Sequence, residues 1–251
     1  MITLQEIYQY LDQLLSSSEF DDYCPNGLQV EGGQKVKKIG TAVSASLETI
    51  EKAVKEGVDC LVVHHGMFWK NDPFPIVGSK KKKIDLLIKN NISLIAYHLP
   101  LDAHQEYGNN WKVARDLNWR ALEPFGNFQG KPIGVRGVIE SSDREQLMSQ
   151  MSEYYDHPCQ EVFGGPQEIQ TIALVSGGAH GSLLEAAQLG VDCFVTGTVD
   201  EPVWSWAHEE GINFMAFGHS ATERVGPRAL CEHFKEIFQI PSVFLDVYNP
   251  F

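Results

Sequence analysis

Apolar positions along this chain follow two spacings. Near the start, Leu4, Ile7, Tyr8, Leu11, Leu14 and Leu15 recur every three or four residues, which predicts an amphipathic helix. Thr3 and Glu6 supply a capping-box start for it. Farther on, short continuous apolar runs such as Cys60-Leu61-Val62-Val63 read as strands buried on both faces. Strands are predicted near 37–44, 59–65 and 92–99, with helices near 47–56 and 79–90 between them. The same order is predicted again, with strands near 170–176, 191–197 and 212–218 and helices near 181–189 and 201–210. Short apolar strands alternating with helices imply parallel sheets joined by right-handed crossovers.

The two halves also match residue by residue. Gly57-Val58-Asp59-Cys60-Leu61-Val62 returns as Gly190-Val191-Asp192-Cys193-Phe194-Val195. Upstream, Thr41-Ala42-Val43-Ser44 has a counterpart in Ala173-Leu174-Val175-Ser176; downstream, Ile92–Tyr97 resembles Ile212–Phe217. Three matches in one order predict an internal duplication. The expected fold class is α/β, two related lobes with largely parallel sheets. Residues 1–125 form the first lobe, including the N-terminal helix, and 170–251 the second. Between them, 126–169 is expected to be a small α/β linking segment, with a strand at 133–139, a polar helix at 142–155 and Gly164-Gly165-Pro166 at its end.

Composition narrows the classes. The chain has 251 residues, 43% hydrophobic and 21% charged, which is ordinary for a globular protein. Its apolar runs fall short of a membrane span, and the first residues show neither a basic leader nor an apolar signal core. A net charge of −13 repels a phosphate backbone, so nucleic acid is disfavoured as a partner without a local basic groove. The one dense basic run, Lys80-Lys81-Lys82-Lys83, heads a predicted helix and is read as its solvated face. Five cysteines, Cys24, Cys60, Cys159, Cys193 and Cys231, are odd in number and form no CxxC pair. Reduced thiols, a cytoplasmic setting and no cysteine metal site follow, with Cys60 and Cys193 as buried hydrophobes.

Chemistry gathers where strands run out, the end at which open α/β sheets take ligands. His64-His65-Gly66 follows one strand, and His98-Leu99-Pro100-Leu101-Asp102-Ala103-His104 the next. Gly218-His219-Ser220-Ala221-Thr222-Glu223-Arg224 follows the equivalent strand of the second copy. Side chains alternate along a strand, so the two imidazoles of 64–65 are expected on opposite faces unless the backbone turns. The duplication lets matching strand ends of the two lobes face one cleft, with a metal site between them. His219 and Glu223 reach one ion if 219–223 begins a helix. Ser220-x-x-Glu223 equally fits a capping box, in which Glu223 turns back to the backbone. His98 reads as an outer partner or a general base. His104 reads equally as a solvent-facing side chain or a site residue, and Asp200-Glu201 as helix N-terminal charge or an outer partner. His157, His180, His208 and His233 receive no role. Mixed imidazole and carboxylate donors suit Zn, Mn, Fe, Co or Ni, without choosing among them. Phosphate-loop, dinucleotide and GxSxG signatures are absent from the sequence.

Four blocks together resemble a known family. They are Tyr23-Cys24-Pro25-Asn26-Gly27-Leu28-Gln29-Val30, Val63-His64-His65-Gly66 with Phe68-Trp69-Lys70, Tyr97–Asp102, and Gly218-His219-x-Ala221-Thr222-Glu223-Arg224. They are similar to the GTP cyclohydrolase 1 type 2 homologs, the Nif-three-like dinuclear metal proteins, in their short bacterial form. The resemblance implies two divalent metal ions per chain, held by His64, His65, Asp102, His219 and Glu223, with Glu223 in the bridging position. It also implies a ring-shaped homohexamer, and a hydrolase acting on a nucleotide such as GTP or a related small molecule. The competing expectation is a non-catalytic metal-binding protein, a metal chaperone or assembly module. Closed coordination marks a structural site and an open position a catalytic one; five ligands shared by two ions favour catalysis.

Overall fold

In the computed structural model, residues 2–251 are described. The elements, in chain order, are β1 (Ile2–Thr3), α1 (Leu4–Leu14), β2 (Gly27–Val30), β3 (Lys35–Val36), β4 (Ile39–Ser44), α2 (Leu47–Lys55), β5 (Cys60–His65), α3 (Gly78–Lys89), β6 (Ser93–Ala96) and α4 (Leu99–Ala103). There follow α5 (Trp111–Asp116), β7 (Arg120–Phe128), β8 (Lys131–Asp143), α6 (Arg144–Tyr155), β9 (Gln160–Phe163) and β10 (Glu168–Leu174). The last are α7 (Leu183–Gln188), β11 (Cys193–Thr196), α8 (Val203–Glu210), β12 (Asn213–Ala216), α9 (His219–Thr222), α10 (Val225–Phe238) and β13 (Ser242–Phe244). The chain divides into two compact units. The first runs to Leu101 and resumes with Gly226–Tyr248; the second is Asp102–Val225 with Asn249–Phe251.

The first unit holds a five-stranded sheet in the order β13-β4-β5-β6-β2. β13, β4, β5 and β6 are parallel, and β2 closes one edge antiparallel to β6. The capping box at Thr3 is made: the Thr3 amide donates to Glu6 Oε2 (2.8 Å) and the Glu6 amide to Thr3 Oγ1 (3.2 Å). α1 buries Leu4, Ile7 and Leu11. It is tied to the end of β6 through Tyr97, whose hydroxyl donates to Asp12 Oδ1 at 2.8 Å. The core joins Ile50 and Ala53 of α2 to Leu61 and Val63 of β5, Leu87 of α3 and Leu94 and Ala96 of β6.

The second unit has six strands in the order β7-β8-β10-β11-β12-β9. Here β10, β11 and β12 are parallel, while β8 and β9 flank them antiparallel. The segment 126–169 therefore supplies strands to this sheet. Its strand is longer than the sequence suggests, 13 residues in β8, and it pairs with β10 on one side and β7 on the other. One apolar cluster, with Trp111, Leu147, Met151, Tyr155 and Phe217, fills one part of the unit; a second, with Phe125, Leu183, Phe194, Val203 and Phe214, fills another.

The duplication is visible in the hydrogen bonds. Asp59 Oδ2 accepts from the amides of Lys37 and Lys38, and Asp192 Oδ2 accepts from those of Gln170 and Thr171. Each aspartate thus ties the approach to one strand to the start of the next. The preceding turns match too: the Val58 and Val191 amides donate to Ala53 and Ala186 carbonyls, after Gly57 and Gly190 at φ +65° and +70°. That left-handed region costs glycine little. Among the described residues no helix is long and apolar enough to cross a membrane. All five cysteines are free thiols, and Cys60 and Cys193 are fully buried.

Candidate metal centre

In the first unit, β5 ends on the two histidines and β6 ends just before Tyr97-His98. The rings of His64 and His65 do not diverge: their centroids are 4.6 Å apart, and that of His98 lies 5.0 and 5.6 Å from them. The β5–β6 ladder stops at Val63↔Ala96 while the β4–β5 ladder runs on to Ser44↔His65, so the two histidines stand where β5 has lost its β6 neighbour. One ring nitrogen from each of the three imidazoles lies within 4.8 Å of the others. His64 is fully buried and His98 nearly so.

Each ring is gripped at Nδ1. His64 Nδ1 lies 3.2 Å from the Tyr97 carbonyl oxygen, His65 Nδ1 2.9 Å from Ser44 Oγ, and His98 Nδ1 2.9 Å from Asp22 Oδ1. A carbonyl and a carboxylate only accept, so the neutral rings of His64 and His98 carry their proton on Nδ1 and their lone pair on Nε2. Such outer contacts orient metal-ligating histidines. Burial raises Asp22, but the hydrogen bond from His98, with those from the amides of Cys24 and Leu99, outweighs it and holds the carboxyl below its ordinary range. Cys24 is buried near the cluster, and burial pushes its thiol up to about 11.

In the second unit the other three candidates gather at the turn after β10. Asp102 Oδ1 accepts from Asn109 Nδ2 (2.8 Å) and from Ser176 Oγ (3.0 Å). The next residue, Gly177, lies against Glu223: a Cβ there would sit 2.2 Å from Glu223 Oε1 and 3.3 Å from His219 Nε2. His219 Nε2 and Glu223 Oε1 are 3.2 Å apart, with Glu223 nearly fully buried. α9 is one turn long, is preceded by Gly218 and has no side-chain cap. The capping-box alternative for Glu223 is therefore not realised. Thr222 Oγ1 instead accepts from the Gly177 amide at 3.0 Å, fixing the helix to the turn.

The donors present fit divalent metal. They are imidazoles and carboxylates without thiolate, backed by polar groups that aim them, and Gly177 leaves the space that a side chain would take from the Glu223 carboxylate. Other histidines have local work. His104 Nδ1 accepts from the Glu106 and Tyr107 amides, and its ring stacks on Tyr107. His157 packs under Gly218, His208 Nδ1 bonds the Trp204 carbonyl within its helix, and His180 lies 3.7 Å from Asp200. The lysine run is only partly a solvated face. Lys80 Nζ donates to the Pro73 carbonyl and lies over the Phe68 ring, and half-buried Lys83 donates to the Ala45 carbonyl. A cavity of about 820 Å³ in the second unit is lined by Trp119, Arg120, Glu140 and Gln146, and by none of the metal candidates.

Sequence reasoning left Asp22, Asn26, Gln29, Ser44, Asn109, Asn110 and Ser176 without roles. Asn109 and Asn110 are fully buried, and the Asn110 amide group bridges the Asp102 and Ile133 carbonyls while its Oδ1 accepts from the Ser176 amide. Two adjacent asparagines between Gly108 and Trp111 were the available signal, and they resemble any polar loop.

Known proteins resemble this chain over its full length. The sequence model of the family described as Duf34/NIF3 (NGG1p interacting factor 3) matches residues 2–250. A Chlamydia pneumoniae protein named GTP cyclohydrolase 1 type 2 homolog is 51% identical, covering 100% of both chains. An Escherichia coli K12 protein of the same name is 39% identical over 98% of each. Among solved structures, TTHA1606 from Thermus thermophilus aligns with a TM-score of 0.92 at 37% identity over both whole chains. Reduced HcgD from Methanocaldococcus jannaschii aligns with a TM-score of 0.86 at 25% identity, over 98% of each chain. Both α/β units fall inside every one of these matches, and the chain belongs to the Duf34/NIF3 family.

Proposed function

We propose that this protein is a metal-dependent hydrolase of a nucleotide or related small molecule, with GTP cyclohydrolase-like chemistry as the leading case. His64, His65, Asp102, His219 and Glu223 are assigned to two divalent ions, with Glu223 shared. The observation that carries this reading is the gathering of pre-aimed donors at strand ends in each unit: three Nδ1-gripped imidazoles in one, and Asp102, His219 and Glu223 around the Ser176-Gly177 turn in the other. When bound, two such ions lower the pKa of water and polarise a carbonyl or phosphoryl oxygen. His98, with its proton held on Nδ1 by Asp22, offers Nε2 as the proton acceptor beside His64 and His65. Lys83 is the best-placed cation for a substrate anion, because it bonds Ala45, the neighbour of the Ser44 that holds His65. A cytoplasmic location and a hexameric ring complete the proposal; the first is supported by five free thiols and the second by family resemblance.

Metal analysis of tag-free protein, with His65→Ala and Glu223→Ala beside wild type, tests the site. Two ions per chain, lost in both variants, support it. A nucleotide screen on the loaded protein then tests the reaction. Turnover abolished by either substitution supports hydrolysis, whereas bound metal without turnover supports the metal-binding module instead.

A further inference from the structure

Residues 22–29 form an arm from which Asp22, Asn26 and Gln29 bond the segments that carry the imidazole cluster of the first unit. Asp22 has a side chain only 2% exposed and takes four donors. Oδ1 accepts from the Cys24 amide (3.0 Å) and His98 Nδ1 (2.9 Å), and Oδ2 from the Leu99 amide (3.0 Å) and Asn26 Nδ2 (3.1 Å). Asn26 Oδ1 accepts from the His98 amide at 2.9 Å, so the arm grips that residue by ring and backbone together.

Gln29 does the equivalent work for the other two rings. The pairing of β2 with β6 runs Leu28↔Ile95 and then Val30↔Leu94, which makes Gln29 the extra residue of a β-bulge. A bulge re-aims its side chain out of the strand's regular alternation. Gln29 Oε1 accepts from the Met67 amide at 2.8 Å, and Nε2 donates to the Pro25 carbonyl at 2.9 Å. The segment directly after His64-His65 is thereby clamped to the arm. Gly66 permits the approach: a Cβ there would lie 2.3–2.6 Å from the Gln29 amide atoms. The glycine after the two histidines and the bulge in β2 are two halves of one fit.

We propose that this arm is the positioning element of the metal centre, with Asp22 and Gln29 as positioning residues. Asp22 sets the His98 tautomer so that Nε2 presents its lone pair, and Gln29 fixes the backbone that carries His64 and His65. The proposal rests on the metal-site reading above. Replacing an acceptor-only carboxylate by an amide removes the constraint on which His98 nitrogen is protonated. Loss of an outer partner of this kind costs roughly 10–100-fold in metal affinity.

The test uses wild type, Asp22→Asn and Gln29→Ala as full chains, with far-UV circular dichroism to verify folding. Two-bond ¹H–¹⁵N correlations on metal-free, ¹⁵N-histidine protein report tautomers, and Co(II) titration followed by its visible bands reports affinity. The expected result is a His98 proton held on Nδ1 in wild type and redistributed in Asp22→Asn, with Co(II) affinity reduced about tenfold in Gln29→Ala, which loosens the backbone carrying His64 and His65. The two substitutions act on separate parts of the arm and are read separately, the tautomer in Asp22→Asn and the affinity in Gln29→Ala, so one reading survives if the other variant does not fold. Wild type that takes up no Co(II) overturns the metal reading and this inference with it. Wild type that binds, with the His98 tautomer unchanged in folded Asp22→Asn and Co(II) affinity within about twofold of wild type in folded Gln29→Ala, overturns this inference alone.

Discussion

Gly177 shows how one backbone position controls the space beside a buried carboxylate, that of Glu223. Its φ of +68° disfavours any L side chain, and the space where a Cβ would stand is taken by Glu223 Oε1. Gly190 has nearly the same φ, +70°, but nothing within 4 Å of that space. Both alanine variants should lose about 1–2 kcal/mol in urea unfolding from the left-handed conformation. Gly177→Ala alone should also lose bound metal, because its methyl displaces Glu223; equal metal content in the two would show that the close approach is unimportant. The candidate ligands themselves were legible because His64-His65 and His219-x-x-x-Glu223 are local spacings at the ends of apolar runs. Their supports were not. Asp22 meets His98 across 76 positions and Ser176 meets Asp102 across 74, and neither single-residue signal differs from that of a loop polar group.

The repeated Gly-Val-Asp-Cys segment makes the duplicated elements comparable in energy as well as in shape. Asp59 Oδ2 holds two amides, while Asp192 Oδ2 holds two amides and the Thr171 hydroxyl at 2.8 Å. Hydrogen bonds to a charged group contribute about 1.5–3 kcal/mol where buried and less where water competes. Asp59→Ala should therefore cost about 2 kcal/mol, and Asp192→Ala more, by roughly one further bond. Urea midpoints at constant slope measure both, and the reverse order would refute the shared-strap reading. The central parallel strands were legible as apolar runs, but 92–99 reads too long because Tyr97, His98 and Leu99 remain buried after the ladder has ended at Ala96. The edge strands gave no clear signal. β7 carries Pro124, Gly126 and exposed polar residues with a register shift between Arg120 and Glu123, features that suit an edge and break the pattern by which strands are recognised.

For the whole molecule, stability should depend on pH and on metal in separable ways. Cys60 is fully buried, and burial pushes its thiol from 9.0 to about 12, with the Asp59 charge adding to the shift. Between those values the unfolded thiol ionises while the folded one stays protonated, so the unfolded chain binds fewer protons and stability falls as pH rises. Each pH unit in that window should cost wild type on the order of 1.4 kcal/mol more than Cys60→Ala; parallel pH profiles would remove Cys60 as a cause. Metal acts on the other side of the balance. Each unit has its own apolar core, so chelation should leave far-UV circular dichroism unchanged, unlike the metal-dependent folding of zinc fingers. Binding to the native state alone still stabilises it, by about 4 kcal/mol at a thousandfold excess over Kd. In a chain of this length that raises the unfolding temperature by on the order of 10 °C. His65→Ala and Glu223→Ala should abolish this rise while unfolding, metal-free, close to the chelated wild type. A chelated wild type that is already unfolded would instead make the metal part of the fold.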